Sequence, residues 1–227
     1  MRTITATLLG VVVLAGAVRA GDQIGIHAGG EFGKMTSEEC QAKALDALRE
    51  QKFPHMEITP EGVVVGRSAK ATVLVFGFPY RDGVVAMVAA ASKDNAEAER
   101  LRNAVRDSVL DKSHTADTDS IQRVTHSDVK NGLTVRYGVE KHAFLPTLRF
   151  FDAAATIAME KHGLGTNPAS KMMVFGGHAE GGVVAVLVPG TNELSVQLLV
   201  IGVSADEKEA DRLQKTISGE IMKILFE

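Results

Sequence analysis

A ten-residue stretch occurs twice in the sequence and decides the fold that we expect. Residues 92–101 read SKDNAEAERL and residues 204–213 read SADEKEADRL, with six of ten positions identical. Each copy follows an apolar run typical of a β-strand and begins a helix. Asp94 and Asp206 are candidate helix N-caps, and the glutamate three residues later can close a capping box. The recurrence indicates an internal duplication, not a catalytic motif.

The segments before each copy predict the same unit, which is a helix, three strands and a second helix. The first helix begins at Thr36 in the first unit, where the hydroxyl can cap it, and at Pro146 in the second, since proline suits the first position of a helix. The predicted strands are 57–66, 71–80, 83–92, 171–178, 182–188 and 193–204. An offset of 112 residues aligns the two units. A rival offset of 99 aligns residues 75–77 with 174–176, but we prefer 112 because it leaves three strands in each unit.

The sequence between the units predicts a central β-hairpin. Residues 121–127 and 133–140 flank Asn131-Gly132, a dipeptide typical of tight hairpin turns. We therefore predict an α+β fold of two tandem αβββα repeats, which form a mostly antiparallel sheet with the helices packed on one face, plus this hairpin. The predicted segments are a signal peptide (1–20), the first repeat (21–112), a linker with the first hairpin strand (113–132) and the second repeat (133–227).

Two of the predicted strands, 71–80 and 83–92, are apolar on both faces. Such strands need cover on both sides of the sheet. Helices cover one side in our prediction, and the central hairpin, a second subunit or a ligand is left to cover the other. We therefore expect a homodimer, or a partner that is an unidentified protein or a small apolar ligand.

The N-terminus is typical of a secretory leader. Arg2 is followed by an apolar stretch over 4–18, and Val18-Arg19-Ala20 offers small residues for a signal peptidase. We expect cleavage before Gly21, no stable membrane insertion afterwards, and a soluble protein in the periplasm or outside the cell. An uncleaved N-terminal anchor is the alternative.

Composition argues against several classes of partner. The leader holds two of the 25 basic residues and no acid, so 23 remain against 28 acidic residues, a formal net charge of −5. Nucleic-acid binders need a basic surface to neutralise phosphates, so we expect no nucleic acid as partner. Trp is absent and only two Tyr occur, which disfavours an aromatic carbohydrate platform. Cys40 is the only cysteine, which excludes an intramolecular disulfide.

Two predicted turns are the candidate binding sites. Tyr80 and Arg81 lie at one hairpin tip, and His178 and Glu180 lie at another, where polar groups border an apolar sheet. The competing explanation is that both are ordinary hairpin tips. The histidines lack the spacing of zinc motifs, and no serine-hydrolase elbow or phosphate-binding loop occurs, so we expect no metal and no cofactor.

The sequence alone does not define an activity. It favours a non-catalytic binding or interaction module. One alternative is a small secreted hydrolase or metal-dependent enzyme, with His178 in a cleft between the repeats. A periplasmic chaperone-like carrier, which holds an exported polypeptide, is the second alternative.

Overall fold

The structure is a computed structural model that describes residues 16–20, 24–124, 131–143, 150–190 and 195–226. Its strands are β1 (Gly16–Ala20), β2 (Ile24–Gly33), β3 (His55–Ile58), β4 (Val64–Arg67), β5 (Ala71–Tyr80), β6 (Gly83–Ser92), β7 (Thr134–Ala143), β8 (Gly165–Ser170), β9 (Met173–His178), β10 (Gly181–Pro189) and β11 (Ser195–Ser204). Its helices are α1 (Ser37–Glu50), α2 (Asn95–Leu110), α3 (Asp119–Gln122), α4 (Phe151–Lys161) and α5 (Glu207–Phe226). Within these ranges, no helix combines the length and the apolar character that crossing a membrane requires.

The strands form two antiparallel sheets. The first sheet has the order β1-β2-β6-β5-β4-β3, and the second has the order β7-β11-β10-β9-β8. Neighbouring strands pair in antiparallel register in both sheets. The fold is therefore α+β with two tandem units, as the sequence predicts.

Helices cover the outer face of each sheet, and the inner faces cover each other. The helices α1 and α2 pack on the first sheet through side chains such as Leu48 and Leu101. The helices α4 and α5 pack on the second sheet through side chains such as Phe151 and Ile217. A third cluster lies between the sheets, and it includes Ile26, Leu74, Phe76, Phe175, Val184 and Leu199. The result is a four-layer arrangement of helices, sheet, sheet and helices.

The sequence led us to expect one joined sheet, and the structure has two sheets face to face. The reason is visible in β5, where Val73 and Val75 face the helices while Leu74 and Phe76 face the second sheet. A single joined sheet would leave the second set of side chains in water, at a loss of roughly 1.5–3 kcal/mol for each large one. We expected a second subunit or an apolar partner to cover the sheet face opposite the helices. In the structure, the other half of the same chain covers it. The oligomeric state itself stays a prediction.

Each half contains two more strands than the predicted αβββα unit. Both halves follow the order strand, helix, four strands, helix, with β2 and β7 as the equivalent first strands. The predicted strand over 57–66 divides into β3 and β4. In the second half, β8 holds the place of β3. It reads GTNPAS, which shows no apolar alternation and contains a proline, so the sequence pattern did not indicate a strand there.

The strand register supports the offset that aligns the two helix starts. Ser92 pairs with Ala71 in the first sheet, and Ser204 pairs with Gly181 in the second. The offset is thus 112 residues in β6 and β11, and 110 residues in β5 and β10. The rival offset of 99 would superpose β5 on β9, which hold different places in the order of the two sheets.

The predicted central hairpin is wrong at its start. Residues 121 and 122 belong to the short helix α3, and β7 pairs with β11. The side chain of Ser120 in α3 donates to Asp46 Oδ1 at 2.6 Å, and Arg49 Nη2 donates to the Ser120 carbonyl oxygen at 2.8 Å. These bonds fasten the segment to α1. Residues 121–124 contain no strand, and the rest of the predicted first strand, 125–127, lies outside the described residues.

The strand β1 lies within the predicted signal peptide. It pairs with Ile24–Ala28 of β2 at the edge of the first sheet. The apolar stretch before it and the residues around the predicted cleavage point (1–15 and 21–23) lie outside the described residues. The leader and its removal stay predictions.

Candidate functional site

A cleft opens between the inner faces where β7, the edge strand of the second sheet, lies over β4 and β5 of the first. It contains two adjoining cavities with volumes of about 530 and 660 Å³. Apolar side chains of both sheets form the walls, among them Val63, Val65, Leu74, Phe76, Phe78, Val135 and Val139. The volumes are within the range of roughly 300–1,000 Å³ that is typical of small-molecule sites.

Tyr137 of β7 borders both cavities and links the two sheets. Its hydroxyl lies 2.9 Å from Thr59 Oγ1 and 3.2 Å from Glu61 Oε2, so it can donate to either oxygen of the β3–β4 turn. Its ring meets Phe76 edge to face, with 5.4 Å between the ring centroids. The alternation of β7 places Tyr137 on the inner face with Leu133, Val135 and Val139.

The protonation states of this group are well separated. Burial raises the pKa of Tyr137 above its ordinary value, so the phenol is neutral at physiological pH. A hydrogen bond from the Thr59 side chain lowers the pKa of Glu61, so this exposed carboxylate is ionised. The cleft therefore offers a neutral donor in its wall and a negative charge at its mouth.

The larger cavity, which we call the Gln197 cavity, combines apolar side chains with the polar groups of Gln197, Tyr137 and Glu61. Gln197 of β11 is 9% exposed and lies on the inner face between Phe78, Val139 and Val63. No hydrogen bond joins its carboxamide to another described residue. The carboxamide is not fully enclosed by protein atoms. It can therefore bond to a ligand that supplies a donor or an acceptor.

The smaller cavity, which we call the Arg67 cavity, has a more polar wall. Arg67 Nη1 lies 2.6 Å from Glu57 Oε1 and 3.0 Å from His55 Nε2. Asn131 Nδ2 donates to Thr72 Oγ1 at 2.9 Å across the cleft. Because Glu57 balances the charge of Arg67, this cavity can receive polar groups without requiring an anion.

The predicted binding residues Tyr80 and Arg81 lie at the β5–β6 turn and contact each other. The Arg81 guanidinium carbon is 5.1 Å from the centre of the Tyr80 ring, and that ring meets Phe32 edge to face at 6.2 Å. Arg81 adopts a positive φ of 52°. Gly83 is required for close approach, since a Cβ there would lie 2.3 Å from the Gly33 carbonyl oxygen.

The predicted binding residues His178 and Glu180 lie at the β9–β10 turn. The Glu180 amide donates to His178 Nδ1 at 3.0 Å, so the proton of the neutral ring is on Nε2, which donates to Glu209 Oε1 at 2.9 Å. Glu209 also accepts two bonds from Arg212. Both ring nitrogens are therefore occupied, and His178 fastens the turn to α5 instead of serving as a base or a metal ligand.

The structure does not bring the two predicted turns together. The Tyr80 turn lies at the end of the sheets near the Gln197 cavity, which Pro79 lines. The His178 turn lies at the other end of the sheets. Gly181 beside this turn pairs with Ser204, and the next residue, Ala205, lines the Arg67 cavity. The four residues therefore do not form one site, and their role in binding stays a prediction.

Possible metal ligands and the Cys40 thiol are the other reactive groups of the described part of the chain. Among the described residues, no group of three or more His, Cys, Asp and Glu side chains could hold a metal ion. Cys40 is buried between α1 and β5, and burial raises the pKa of its thiol to about 12, so it is an unreactive core residue.

Sequence reasoning missed the residues of the cleft. Thr59 and Tyr137 are 78 positions apart, and only the packing of the two sheets brings them into contact. One signal was present, because Gln197 interrupts an otherwise apolar run in residues 196–203. A single amide on a buried strand face is typical of a binding group or a structural hydrogen bond.

Comparison with known proteins does not assign the chain to a family. No family model matches it, and no curated protein matches it. Among solved structures it is similar to the di-domain ARO/CYC StfQ from the steffimycin biosynthetic pathway, with 8% identity and a TM-score of 0.27 over 87% of this chain and 96% of that one. The di-domain ARO/CYC BexL from the BE-7585A pathway has 8% identity and a TM-score of 0.27 over 88% and 97%.

A third similar structure is 6-hydroxy-D-nicotine oxidase from Arthrobacter nicotinovorans, with 11% identity and a TM-score of 0.26. The similarity covers 86% of this chain and 42% of that chain. At such TM-scores, none of the three structures carries an argument about the function of this chain.

Proposed function

We propose that this chain is an exported binding protein that holds a small, mainly apolar molecule in the cleft between its two sheets. The observation that carries the proposal is the position of Gln197, whose carboxamide has no hydrogen bond to another described residue and lines a cavity of about 660 Å³. A ligand with one hydrogen-bonding group and an apolar body would satisfy the amide and fill the cavity.

Tyr137 and Glu61 support this assignment. The neutral phenol can donate to a polar atom of the ligand, and the ionised Glu61 at the mouth disfavours anionic ligands. The volume of the Gln197 cavity is within the range of roughly 300–1,000 Å³ that is typical of small-molecule sites. The alternative of a hydrolase that uses His178 lacks such support, because both nitrogens of that ring are engaged.

Export is part of the proposal and follows from the leader-like N-terminus. A charged residue, an apolar stretch and small residues precede the expected cleavage point before Gly21. Mass spectrometry of the protein from the culture medium or the periplasm tests this part. A chain that starts at Gly21 is expected, and an intact N-terminus in the cytoplasm would contradict export.

The cleft is tested with a neutral naphthylamine probe, N-phenyl-1-naphthylamine, and with 1-phenylnaphthalene, which lacks its N–H group. Saturable binding of one probe molecule per chain is expected. Val139→Trp fills the Gln197 cavity and is expected to weaken binding at least tenfold. Glu140→Trp, on the exposed face of the same strand, is the matched control and is expected to change the affinity less than twofold.

Gln197→Leu tests the polar group separately. The original chain is expected to prefer the probe with the N–H group, and the leucine variant is expected to lose that preference while it keeps affinity for the hydrocarbon. Equal binding by Val139→Trp, or an unchanged preference in Gln197→Leu, would overturn the assignment of the cleft.

A further inference from the structure

The position of β1 defines a slot that is one strand wide. Its residues Gly16–Ala20 pair in antiparallel register with Ile24–Ala28 of β2. The same strand also contacts β8, β9 and β10 of the second sheet. A strand in this position is therefore bounded by the edge of the first sheet on one side and by the inner face of the second sheet beneath it.

Cleavage before Gly21 would remove this strand and leave the rest of the fold. We infer that the processed chain has a strand-acceptor slot, in which an extended polypeptide segment with an acidic residue binds by antiparallel addition to Ile24–Ala28. This inference rests on the export that we propose above, and it concerns a second site, separate from the cleft. Addition of a strand to a free sheet edge is an established mode of peptide recognition.

Both chemical requirements of strand addition are met at this edge. The main-chain groups of residues 24–28 that now bond β1 would lose their partners, and unpaired main-chain groups at an edge accept a new strand. Ile24, Ile26 and Ala28 are buried on the inner face. The positions that pair with them are Ala20, Val18 and Gly16, so small or β-branched residues suit these positions of an incoming segment.

The slot fits a single extended segment better than the edge of a second copy of this chain. The second sheet extends beyond β2 by about the width of one strand, since β1 lies against β8 and β9. If β2 of one copy paired with β2 of a second copy, the β8 and β9 strands of both copies would project into the same space. The two copies would then clash, whereas a single extended segment would not.

Arg102 supplies the reason for an acidic residue in the incoming segment. It is 3% exposed, and its Nε and Nη1 have no hydrogen-bond partner among the described residues. On α2, Arg100 and Ser108 hydrogen-bond to Gln51 and Glu50 beside α1. Arg102 lies on the opposite flank of the helix, which packs over β2.

His27 connects this guanidinium to the slot. It lies on the helix-facing side of β2, where its Nε2 is 3.1 Å from Asn95 Oδ1, and its register partner in β1 is Ala17. Arg102 is close enough to add to the effect of burial in lowering the pKa of His27. Arg106, Glu99 and Asp107 are the other charged groups that act on Arg102. A carboxylate at the position of Ala17 would lie on the same side of the sheet as His27, near the charge of Arg102.

The test uses the processed chain, residues 21–227, and the peptide LAGAVRA, which is residues 14–20. This peptide is expected to bind with one molecule per chain and to slow hydrogen exchange of the amides in Ile24–Ala28. Its variant with Ala17→Glu is expected to bind about tenfold more tightly. Arg102→Met is expected to abolish that tenfold difference while it leaves the affinity for LAGAVRA unchanged.

Two N-methylated peptides distinguish strand addition from non-specific apolar binding. One carries the methyl groups on the amides of residues 16, 18 and 20, and the other on residues 17 and 19. Only one of these sets faces β2 in an antiparallel ladder, so one peptide is expected to lose binding and the other to keep it. Equal loss or equal retention would overturn the inference, as would a dimer of the processed chain that the peptide does not dissociate.

The full chain provides a second measurement if residues 21–227 do not fold alone. With its own β1 in place it is expected not to bind the peptide, whereas Ala17→Pro combined with Val18→Pro removes ladder amides, releases β1 and opens the slot. Absence of peptide binding by this proline variant would also overturn the inference. An intact N-terminus on the exported protein would contradict only the processing step, because peptide binding is measured independently of it.

Discussion

Ser92 and Ser204 make the same two hydrogen bonds at equivalent places in the two halves. Ser92 Oγ donates to the Lys70 carbonyl oxygen at 2.8 Å and accepts from the Asp94 amide at 3.0 Å. Ser204 Oγ donates to the Glu180 carbonyl oxygen at 2.5 Å and accepts from the Asp206 amide. Each hydroxyl therefore fastens a hairpin tip to the start of the following helix, which explains why serine recurs in the repeated stretch.

Replacement of either serine by alanine is expected to destabilise the protein. Ser92→Ala and Ser204→Ala each leave a main-chain carbonyl and an amide without their partner at a site that is 1% exposed. We expect a loss of about 1–3 kcal/mol of unfolding free energy for each, measured by urea denaturation. Ser113→Ala, in an exposed turn, is the control and is expected to stay within about 0.5 kcal/mol. Equal effects at all three positions would show that the two bonds contribute little.

Two glycines are expected to respond to alanine in opposite directions. A Cβ at Gly202 of β11 would lie 2.5 Å from the Ala210 carbonyl oxygen and 2.9 Å from the Gln214 amide, so α5 would have to move off the sheet. Gly202→Ala is expected to lower the unfolding free energy by about 2–4 kcal/mol. Gly219 lies on the exposed face of α5 with open space around its Cβ position, so Gly219→Ala is expected to raise it by about 0.5–1 kcal/mol. Thermal denaturation of both variants checks the two signs.

Local chemistry in the repeated stretch was predictable because its partners are near in sequence. Asp94 caps α2 by accepting from the amides of Ala96 and Glu97, as the sequence predicts. The expected role of the glutamates in a capping box is wrong, since the Glu97 carboxylate binds Arg100. A glutamate at this position can accept a hydrogen bond either from the N-cap amide or from a nearby guanidinium. The bidentate ion pair with the guanidinium is the stronger interaction.

The relation between the two sheets and the cleft between them could not be predicted from local patterns. Two-sided apolar strands show that both faces need cover, but they do not name what covers them. The choice between one joined sheet and two facing sheets depends on contacts between distant residues, such as Phe76 and Tyr137. The strand β8 was missed for another reason, because an edge strand with a proline carries no apolar alternation.

Glu209 is expected to give the protein an acid-dependent component of stability. Hydrogen bonds from Arg212, and next from His178, hold the pKa of Glu209 below 4.5, although burial opposes the shift. A carboxyl with a lowered pKa in the folded state stabilises the protein above its unfolded pKa, and this contribution is lost as the pH falls through the folded pKa. Glu209→Gln is therefore expected to reduce the unfolding free energy by about 1 kcal/mol at pH 7.

The difference between Glu209→Gln and the original chain is expected to shrink as the pH falls below 4.5. Urea denaturation across that range measures it. Asp211→Asn is the matched control, because Asp211 pairs with Lys215 on the exposed surface of α5. A difference for Glu209→Gln that is independent of pH would contradict the role of the ionised carboxylate.

Tyr137 is expected to titrate above its ordinary pKa of 10, because burial disfavours the phenolate. The chain has two tyrosines and no tryptophan, so Tyr80→Phe leaves Tyr137 as the only source of phenolate absorbance. In that variant, the midpoint of the alkaline absorbance change is expected above pH 10 in the folded protein and at about 10 in urea. Since the folded pKa is raised, the stabilisation is complete below pH 10 and is lost as the pH rises through the folded pKa.

Tyr137→Phe is expected to remove this alkaline loss of stability and about 1 kcal/mol of unfolding free energy at pH 7, through the lost bond to Thr59. A probe that occupies the Gln197 cavity is expected to raise the midpoint further, because it excludes water from the phenol and makes the phenolate still less favourable. If a probe binds tightly without changing the midpoint of the Tyr137 titration, its site is away from Tyr137. That result would contradict the assignment of the cleft as the binding site.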